Sequence, residues 1–367
     1  MSSDISDIAT PPLPICKMCK SDLHPFLAAL PKVELHLHLE GTLSPQHLFA
    51  LALRNGISLP TDDAAFETPL SLQDRYDHFT SLSDFLHYYY IGMSCLITAH
   101  DFEELAYNYF VRAKADGAMH CEVFFDPQAH TSRGISYSTV ITGFTAARLR
   151  AAKELGVTSQ LVMCFLRHLS SEDAMAHYLA AEKCGHFADG TLGGIGLDSA
   201  EVGNRPELFR DVYERAVAQG VRRTAHAGEE GDASYIAGAL DVGAQRIDHG
   251  IRLAEDAVLM ARVAAEKILL TVCPISNVQL RAMTHVGELP LRRFLDAGVR
   301  FNLNSDDPAY FGGYLLDNYC AVQDAFAFGK EEWRVIAQAG IEGCWAEEER
   351  KAEMREVLER VCKAFEY

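Results

Sequence analysis

The chain reads as an α/β protein, a (β/α)8 TIM barrel with a helical insertion after its first strand and extra helices at its C-terminus. Eight short apolar, β-rich runs alternate with helical patterns from end to end. Strict alternation implies parallel strands with helical crossovers, and eight such units close a barrel. Polar clusters recur at the end of several runs, always the same end, which is where barrels build their chemistry. The structural competitor, an open doubly wound sheet, wants a Gly-rich phosphate turn after an early strand. The nearest candidate, Gly193-Gly194-Ile195-Gly196, lacks the third glycine and opens a strand instead of closing one.

Strands are expected over 33–39, 119–126, 159–166, 192–198, 222–227, 246–249, 268–273 and 299–304, where β-branched and aromatic residues concentrate between turn residues. Helices are expected over 136–155, 171–184, 206–219, 232–242 and 255–266, where apolar residues recur at helical spacing. The first two strands are separated by about seventy-five residues, more than one crossover needs, and 45–56, 81–95 and 101–116 look helical. This insertion leaves the C-terminal end of strand 1, so it is expected to wall or cover the pocket. After the last strand, 315–327, 330–343 and 346–364 read as closing helices with solvated, charged faces. Residues 1–27 read as a flexible N-terminal extension and 28–367 as one domain, with no repeat, low-complexity tract or interdomain linker.

With 367 residues, 49% of them hydrophobic, the chain can bury a large core. A net charge of −18 without a basic patch argues against a nucleic-acid partner, whose phosphates are bound by clustered Lys and Arg. No stretch approaches a membrane span, and the first residues lack the apolar run of a secretory signal. Ten cysteines without framework spacing, and no Asn-x-Ser/Thr sequon, suit a reducing interior. A cytoplasmic protein is expected, and nuclear residence is equally compatible. Cys16 and Cys19 form a lone Cys-x-x-Cys, which reads as incidental without a second pair.

The chemistry begins at Glu34-Leu-His-Leu-His-Leu-Glu40. On a strand, His36 and His38 share one face and can reach one cation, while Leu35, Leu37 and Leu39 fill the other. Further clusters follow at His226-Ala-Gly-Glu229, Asp248-His249-Gly250 and Ser305-Asp306-Asp307-Pro308, all at expected C-terminal strand ends. Two strand-1 imidazoles, His226 and Asp306 make a nitrogen-rich set with one carboxylate, which suits Zn²⁺ better than Mg²⁺ or Ca²⁺. Zinc lowers the pKa of its water from about 15.7 to about 7, so hydrolysis is the natural reaction. Glu229 is placed to shuttle a proton, although an acid in a helix first turn is its plainer role. His249 is placed to orient the attacking hydroxide and steady developing negative charge.

The segment Leu30-Pro-Lys-Val-Glu-Leu-His-Leu-His-Leu-Glu-Gly-Thr-Leu43, with His226-Ala-Gly-Glu229, Asp248-His249-Gly250 and Asp306-Asp307-Pro308, resembles the adenosine and adenine deaminases of the metal-dependent amidohydrolase superfamily. The resemblance runs from about residue 28 to the C-terminus. Phe85-Leu-His-Tyr-Tyr-Tyr90, Phe125-Asp-Pro-Gln-Ala-His-Thr-Ser-Arg-Gly134, Gly196-Leu-Asp-Ser-Ala-Glu201 and Asn304-Ser-Asp-Asp-Pro-Ala-Tyr-Phe-Gly-Gly313 are similar to the fungal and bacterial adenine branch. The resemblance implies hydrolytic deamination of a purine at C6, in purine salvage, with one zinc per chain on His36, His38, His226 and Asp306. It further implies that Glu229 protonates ring N1, that His249 and Asp306 hold the hydroxide, and that Asp307 hydrogen-bonds N7.

The resemblance also puts Asp198, Ser199, Glu201 and Glu40 at the substrate. Adenosine deaminases typically carry Asp at the position of Glu40 and a Gly-Asp-Glu run where this chain has Ser199-Ala-Glu201. Longer side chains at 40 and 201 are expected to crowd the ribose channel and favour the free base. Alternatives in the same class are an adenosine deaminase or an aminohydrolase of N6-substituted adenines. Lactam or phosphoester hydrolysis is disfavoured, because no Lys sits at a strand end to bridge two metals, and a non-catalytic purine-binding barrel is disfavoured because ligands, acid and histidine occur together. The zinc cytidine-type deaminase pattern, His-x-Glu with Pro-Cys-x-x-Cys, is absent.

Overall fold

The computed structural model describes residues 19–365. Eight parallel strands pair in sequence order: β1 (Lys32–Glu34), β2 (Ala118–Phe125), β3 (Thr158–Leu166), β4 (Leu192–Asp198), β5 (Arg222–Ala227), β6 (Arg246–His249), β7 (Leu269–Val272) and β8 (Arg300–Leu303). Helices connect them on the outside, which makes the fold a (β/α)8 barrel as the alternation predicts. Most of the 1–27 extension, with Cys16, lies outside the described residues. Its last part includes the start of a helix, His24–Ala29, whose Phe26 and Leu27 are buried.

Strand 1 differs from the expected run over 33–39. Regular pairing stops at Glu34, and only isolated bridges, Leu37 with Asp306 and His38 with Phe124, continue it. The cause lies at the β8–β1 seam. Asn304 Oδ1 accepts the Leu35 N–H at 2.8 Å, and Asn302 Nδ2 donates to the Val33 carbonyl at 3.2 Å, so side chains replace the ladder there. Backbone bonds from His38 N–H to the Asp306 carbonyl (3.0 Å) and from Asp306 N–H to the His36 carbonyl (3.1 Å) then draw the ends together. Metal-type ligands from the first and last strands thus meet where the barrel closes.

The insertion after β1 contains the expected helices, at Pro45–Asn55, Leu82–Met93 and Ala99–Ala115, and one more at Pro69–Tyr76. Serine or threonine caps each of the four through its side chain. Leu82–Met93 turns Leu82, Phe85, Leu86, Tyr89 and Tyr90 onto the barrel mouth, the pocket wall anticipated for this segment. The closing helices occur at Leu315–Phe326, Lys330–Gly343 and Glu348–Ala364, but the first two are not merely solvated. Tyr319, Trp333 and Ile336 are buried on the barrel. Among the described residues no helix is long and apolar enough to cross a membrane.

Candidate active site

His36, His38, His226 and Asp306 converge at the C-terminal mouth, all buried. His36 Nε2 lies 3.2 Å from Asp306 Oδ1, His38 Nε2 lies 3.4 Å from the same oxygen, and His38 Nε2 lies 3.2 Å from His226 Nε2. A metal held tetrahedrally at 2.0–2.1 Å keeps neighbouring ligand atoms about 3.3 Å apart. The three measured edges match. His36 Nε2 makes no hydrogen bond although it is buried, a cost that a cation would remove.

The outward nitrogens of these rings explain why the inner ones are free to ligate. His36 Nδ1 is 3.0 Å from Thr271 Oγ1, and that hydroxyl donates to Asp248 Oδ1 at 2.9 Å, so it accepts from Nδ1–H and leaves Nε2 bare. His226 Nδ1 faces Asp248 Oδ2 at 3.6 Å, and His38 Nδ1 faces Asp198 Oδ2 at 3.5 Å. Each ring therefore has an oxygen behind it, the usual support of a metal-binding imidazole. Burial holds His226 well below the ordinary imidazole range and His38 down to about 4, so both stay neutral. At Asp306, burial favours the neutral acid, but His36, His249 and His38 together outweigh it and keep the carboxyl well below its usual range.

His249 stands apart, although His36, His226, His249 and Asp306 can also bring one donor atom each within 4.8 Å of one another. Asn277 presents its amide Nδ2 to His249 Nδ1 at 3.1 Å. An amide nitrogen only donates, so Nδ1 accepts and the proton sits on Nε2. That N–H points between Glu229 Oε2 (3.5 Å) and Asp306 Oδ2 (3.8 Å), which makes His249 a donor to the pocket in place of a ligand. Ser276 Oγ donates to Asp306 Oδ2 at 2.6 Å and fixes the carboxylate's second oxygen.

Glu229 is buried, its Oε1 has no partner, and no ion pair with Lys or Arg reaches it. Burial first, then the Asp306 charge, raise its pKa well above the carboxylate range and favour the protonated acid. Asp307 is raised for the same reasons, burial and then Asp306. It fits only because residue 41 is glycine: a Cβ there would stand 1.9 Å from Asp307 Oδ1.

Not every expected substrate residue faces the pocket. The Glu201 carboxylate accepts the backbone N–H groups of Gly228 (2.7 Å), Glu229 (3.1 Å), Glu230 (3.0 Å) and Gly231 (2.9 Å). It clamps the loop that carries Glu229, and both oxygens are spent. Gly228 makes that wrap with φ +73°. Glu40 is turned to His130 Nε2 at 2.8 Å and to the Asp126 N–H at 3.2 Å, and burial raises it to about 7. The expectation that Glu40 and Glu201 crowd a ribose channel is therefore corrected, because neither lines the pocket, Glu201 spending both oxygens on the loop and Glu40 turning Oε1 to His130 and Asp126.

The pocket at the mouth is lined by His38, Asp126, Asp198, Ser199, His226, Glu229, His249, Asp306 and Asp307 with the apolar face of Leu82–Met93. Ser199, His249 and Asp306 adopt left-handed backbone at φ 71°, 62° and 64°. Such conformations cost about 1–3 kcal/mol each in non-glycine residues and gather at functional sites. Sequence reasoning missed Asp126, Thr271, Ser276 and Asn277 as parts of the site. The signal available for Asp126 was a polar residue ending the apolar run Val123-Phe-Phe125.

Residues 31–361 match the adenosine deaminase family model. The chain is 57% identical over 337 residues to the adenine deaminase of Aspergillus oryzae, covering 92% of this chain and 96% of that one. It is 54% identical to the adenine deaminase of Schizosaccharomyces pombe, covering 95% of each. Among solved structures, the adenine deaminase of Arthrobacter aurescens superposes with a TM-score of 0.86 at 44% identity, covering 91% of this chain and 99% of that one. A Burkholderia ambifaria amidohydrolase with bound Zn gives 0.83 at 28% identity, covering 94% of each. The protein described here belongs to the adenosine deaminase family.

Proposed function

We propose that this chain catalyses the hydrolytic deamination of adenine to hypoxanthine and ammonia, in purine salvage, with one zinc ion per chain on His36, His38, His226 and Asp306. The observation that carries the chemistry is Glu229, a buried acid with no Lys or Arg partner among the described residues, held beside the converging donors of His36, His38, His226 and Asp306. The names of the relatives above support adenine as substrate, and the bound Zn of the Burkholderia protein supports the metal. Zinc bound there would supply a water whose pKa is near 7.

The chain's own groups do the rest. Glu229 gives its proton to ring N1, which withdraws electrons from C6 and opens it to addition of water. Asp306 Oδ2, held by Ser276, takes the proton that the incoming water gives up. His249 offers Nε2–H to the oxygen as it gains charge at C6. Asp307, also neutral, donates to N7 and fixes which edge of the purine faces the acid. The proton taken up by Asp306 passes to the amino group, the C6–N bond breaks as ammonia leaves, and the C6 hydroxyl returns its proton to Glu229 as the carbonyl of hypoxanthine forms. Leu82, Phe85, Leu86, Tyr89 and Tyr90 cover the base and limit bulk water.

Ammonia release by zinc-loaded protein, measured for adenine, adenosine and N6-methyladenine in parallel, tests this reading. Adenine is expected to exceed adenosine by at least about a hundredfold in kcat/KM. Equal values would overturn the adenine assignment and leave a purine deaminase of broader range.

A further inference from the structure

We propose that Asp126 determines specificity for the free base, its carboxylate accepting the ring N–H that an unsubstituted purine carries at N9 and a nucleoside lacks. This rests on the adenine reading above and goes beyond it by naming the group that selects the base. Glu40 and Glu201 are not placed to perform that selection, since neither lines the pocket and Glu201 spends both oxygens on the 228–231 loop.

Asp126 follows β2 directly, is 1% exposed and lines the pocket. Its N–H is given to Glu40, which pins the backbone, yet its side-chain Oδ1 is buried with no partner. Among the described residues no Lys, Arg or His forms an ion pair with it. Its neighbour Asp198 shares a hydrogen bond with it and is the member of the pair whose acid form burial favours more strongly. One Asp198 oxygen also stands behind His38, so Asp126 is the member left as acceptor. A buried carboxylate oxygen without a donor is costly, so a ligand that supplies the donor is favoured.

The geometry of a bound purine says which ligand atom that is. On the reading above, C6 lies at the histidine cluster, with N1 toward Glu229 and N7 toward Asp307, the acids that line those sides of the pocket. The opposite edge holds N3, an acceptor, and N9, which is a donor only in the free base. Of these two, only N9–H can satisfy a carboxylate. A substituent at N9 removes the donor, leaves Oδ1 unpaired and must find room against the wall that Asp126 and Asp198 form, so two penalties act in the same direction.

The test compares adenine with 9-methyladenine as substrates of zinc-loaded wild type, Asp126→Ala and Asp126→Asn, with zinc content and thermal melting measured on each. Wild type is expected to favour adenine by at least about a hundredfold in kcat/KM. Asp126→Ala is expected to lose at least about tenfold on adenine while holding or gaining on 9-methyladenine, so that the ratio collapses. Asp126→Asn keeps an amide oxygen as acceptor and is expected to fall between the two. If Asp126→Ala fails to fold, the drop of the ratio in Asp126→Asn decides. A ratio unchanged in the folded variants, with both substrates losing equally, overturns the inference and leaves Asp126 a structural residue. Wild type that releases no ammonia from adenine would instead overturn the reading on which it rests.

Discussion

The two ends of the barrel bury the same kinds of charged residue and treat them in opposite ways. Near the N-terminal end, Glu122 is paired with Arg246, takes the Trp345 N–H, and lies 3.4 Å from His120 Nε2, while Arg246 stacks 4.0 Å from the Trp345 ring. Burial alone would raise Glu122, but Arg246, His120 and the Trp345 N–H together outweigh it and carry it down to about 2. At the C-terminal mouth, Glu229, Asp307 and Asp126 are as deeply buried and have no such cation. Burial pushes Glu229 and Asp307 well above the carboxylate range and Asp126 to about 7, and each keeps an oxygen without a partner. A carboxylate satisfied inside the fold contributes to holding it together. One left unsatisfied at a pocket is available to a ligand, and the left-handed backbone at Ser199, His249 and Asp306 adds strain at the same end.

Breaking the lower pair gives the largest expected effect. Arg246→Met leaves Glu122 buried and unpaired and is expected to lower unfolding stability by about 3–5 kcal/mol, with Arg246→Met/Glu122→Gln recovering part of it. Chemical denaturation of the two variants measures this, and equal stability of the single variant and wild type would remove the contrast. The upper end should respond in rate and not in stability. Glu229→Gln keeps size and neutrality, so the unfolding free energy should change by under about 1 kcal/mol while kcat falls by about a hundredfold or more.

The pH profile sharpens the same point. The working form of Glu229 is protonated and its pKa is raised, so wild-type kcat/KM should hold through neutrality and decline as pH rises through that pKa. The residual rate of Glu229→Gln should lack this decline, and an unchanged profile would assign the proton to another group. Glu201→Gln is expected to be milder. It frees one or two of the four N–H groups of the 228–231 loop, so kcat should drop by about tenfold with KM nearly unchanged. Asp307→Asn should have the smallest effect, a few-fold rise in KM worth about 1 kcal/mol, because the amide still donates to N7.

The alternation of runs made the eight strands legible, and the polar residues ending them made the mouth legible. Patterning could not show where β1 stops. Its irregularity depends on Asn302 and Asn304, residues of a strand about 270 positions away that reach its backbone. The short helices at Pro69–Tyr76, Pro274–Gln279 and Leu291–Asp296 span too few turns for periodicity to stand out. Residue type and spacing identified His36, His38, His226, Glu229, His249 and Asp306, since ligand chemistry restricts which side chains can serve. Side-chain direction was the missing quantity for Glu40 and Glu201. Whether a carboxylate faces the pocket or a backbone loop is decided by partners distant in sequence, His130 and Asp126 for one, Gly228 to Gly231 for the other.

The central claim is that the unsatisfied groups at the mouth form a zinc-assisted adenine deaminase centre. Ammonia release from adenine, followed in one preparation as metal is stripped by exhaustive chelation and zinc is returned in measured steps, tests it most directly. The account predicts that release vanishes with the metal and returns in proportion to zinc, saturating at one ion per chain. Full turnover by protein that elemental analysis shows to be free of metal would contradict it.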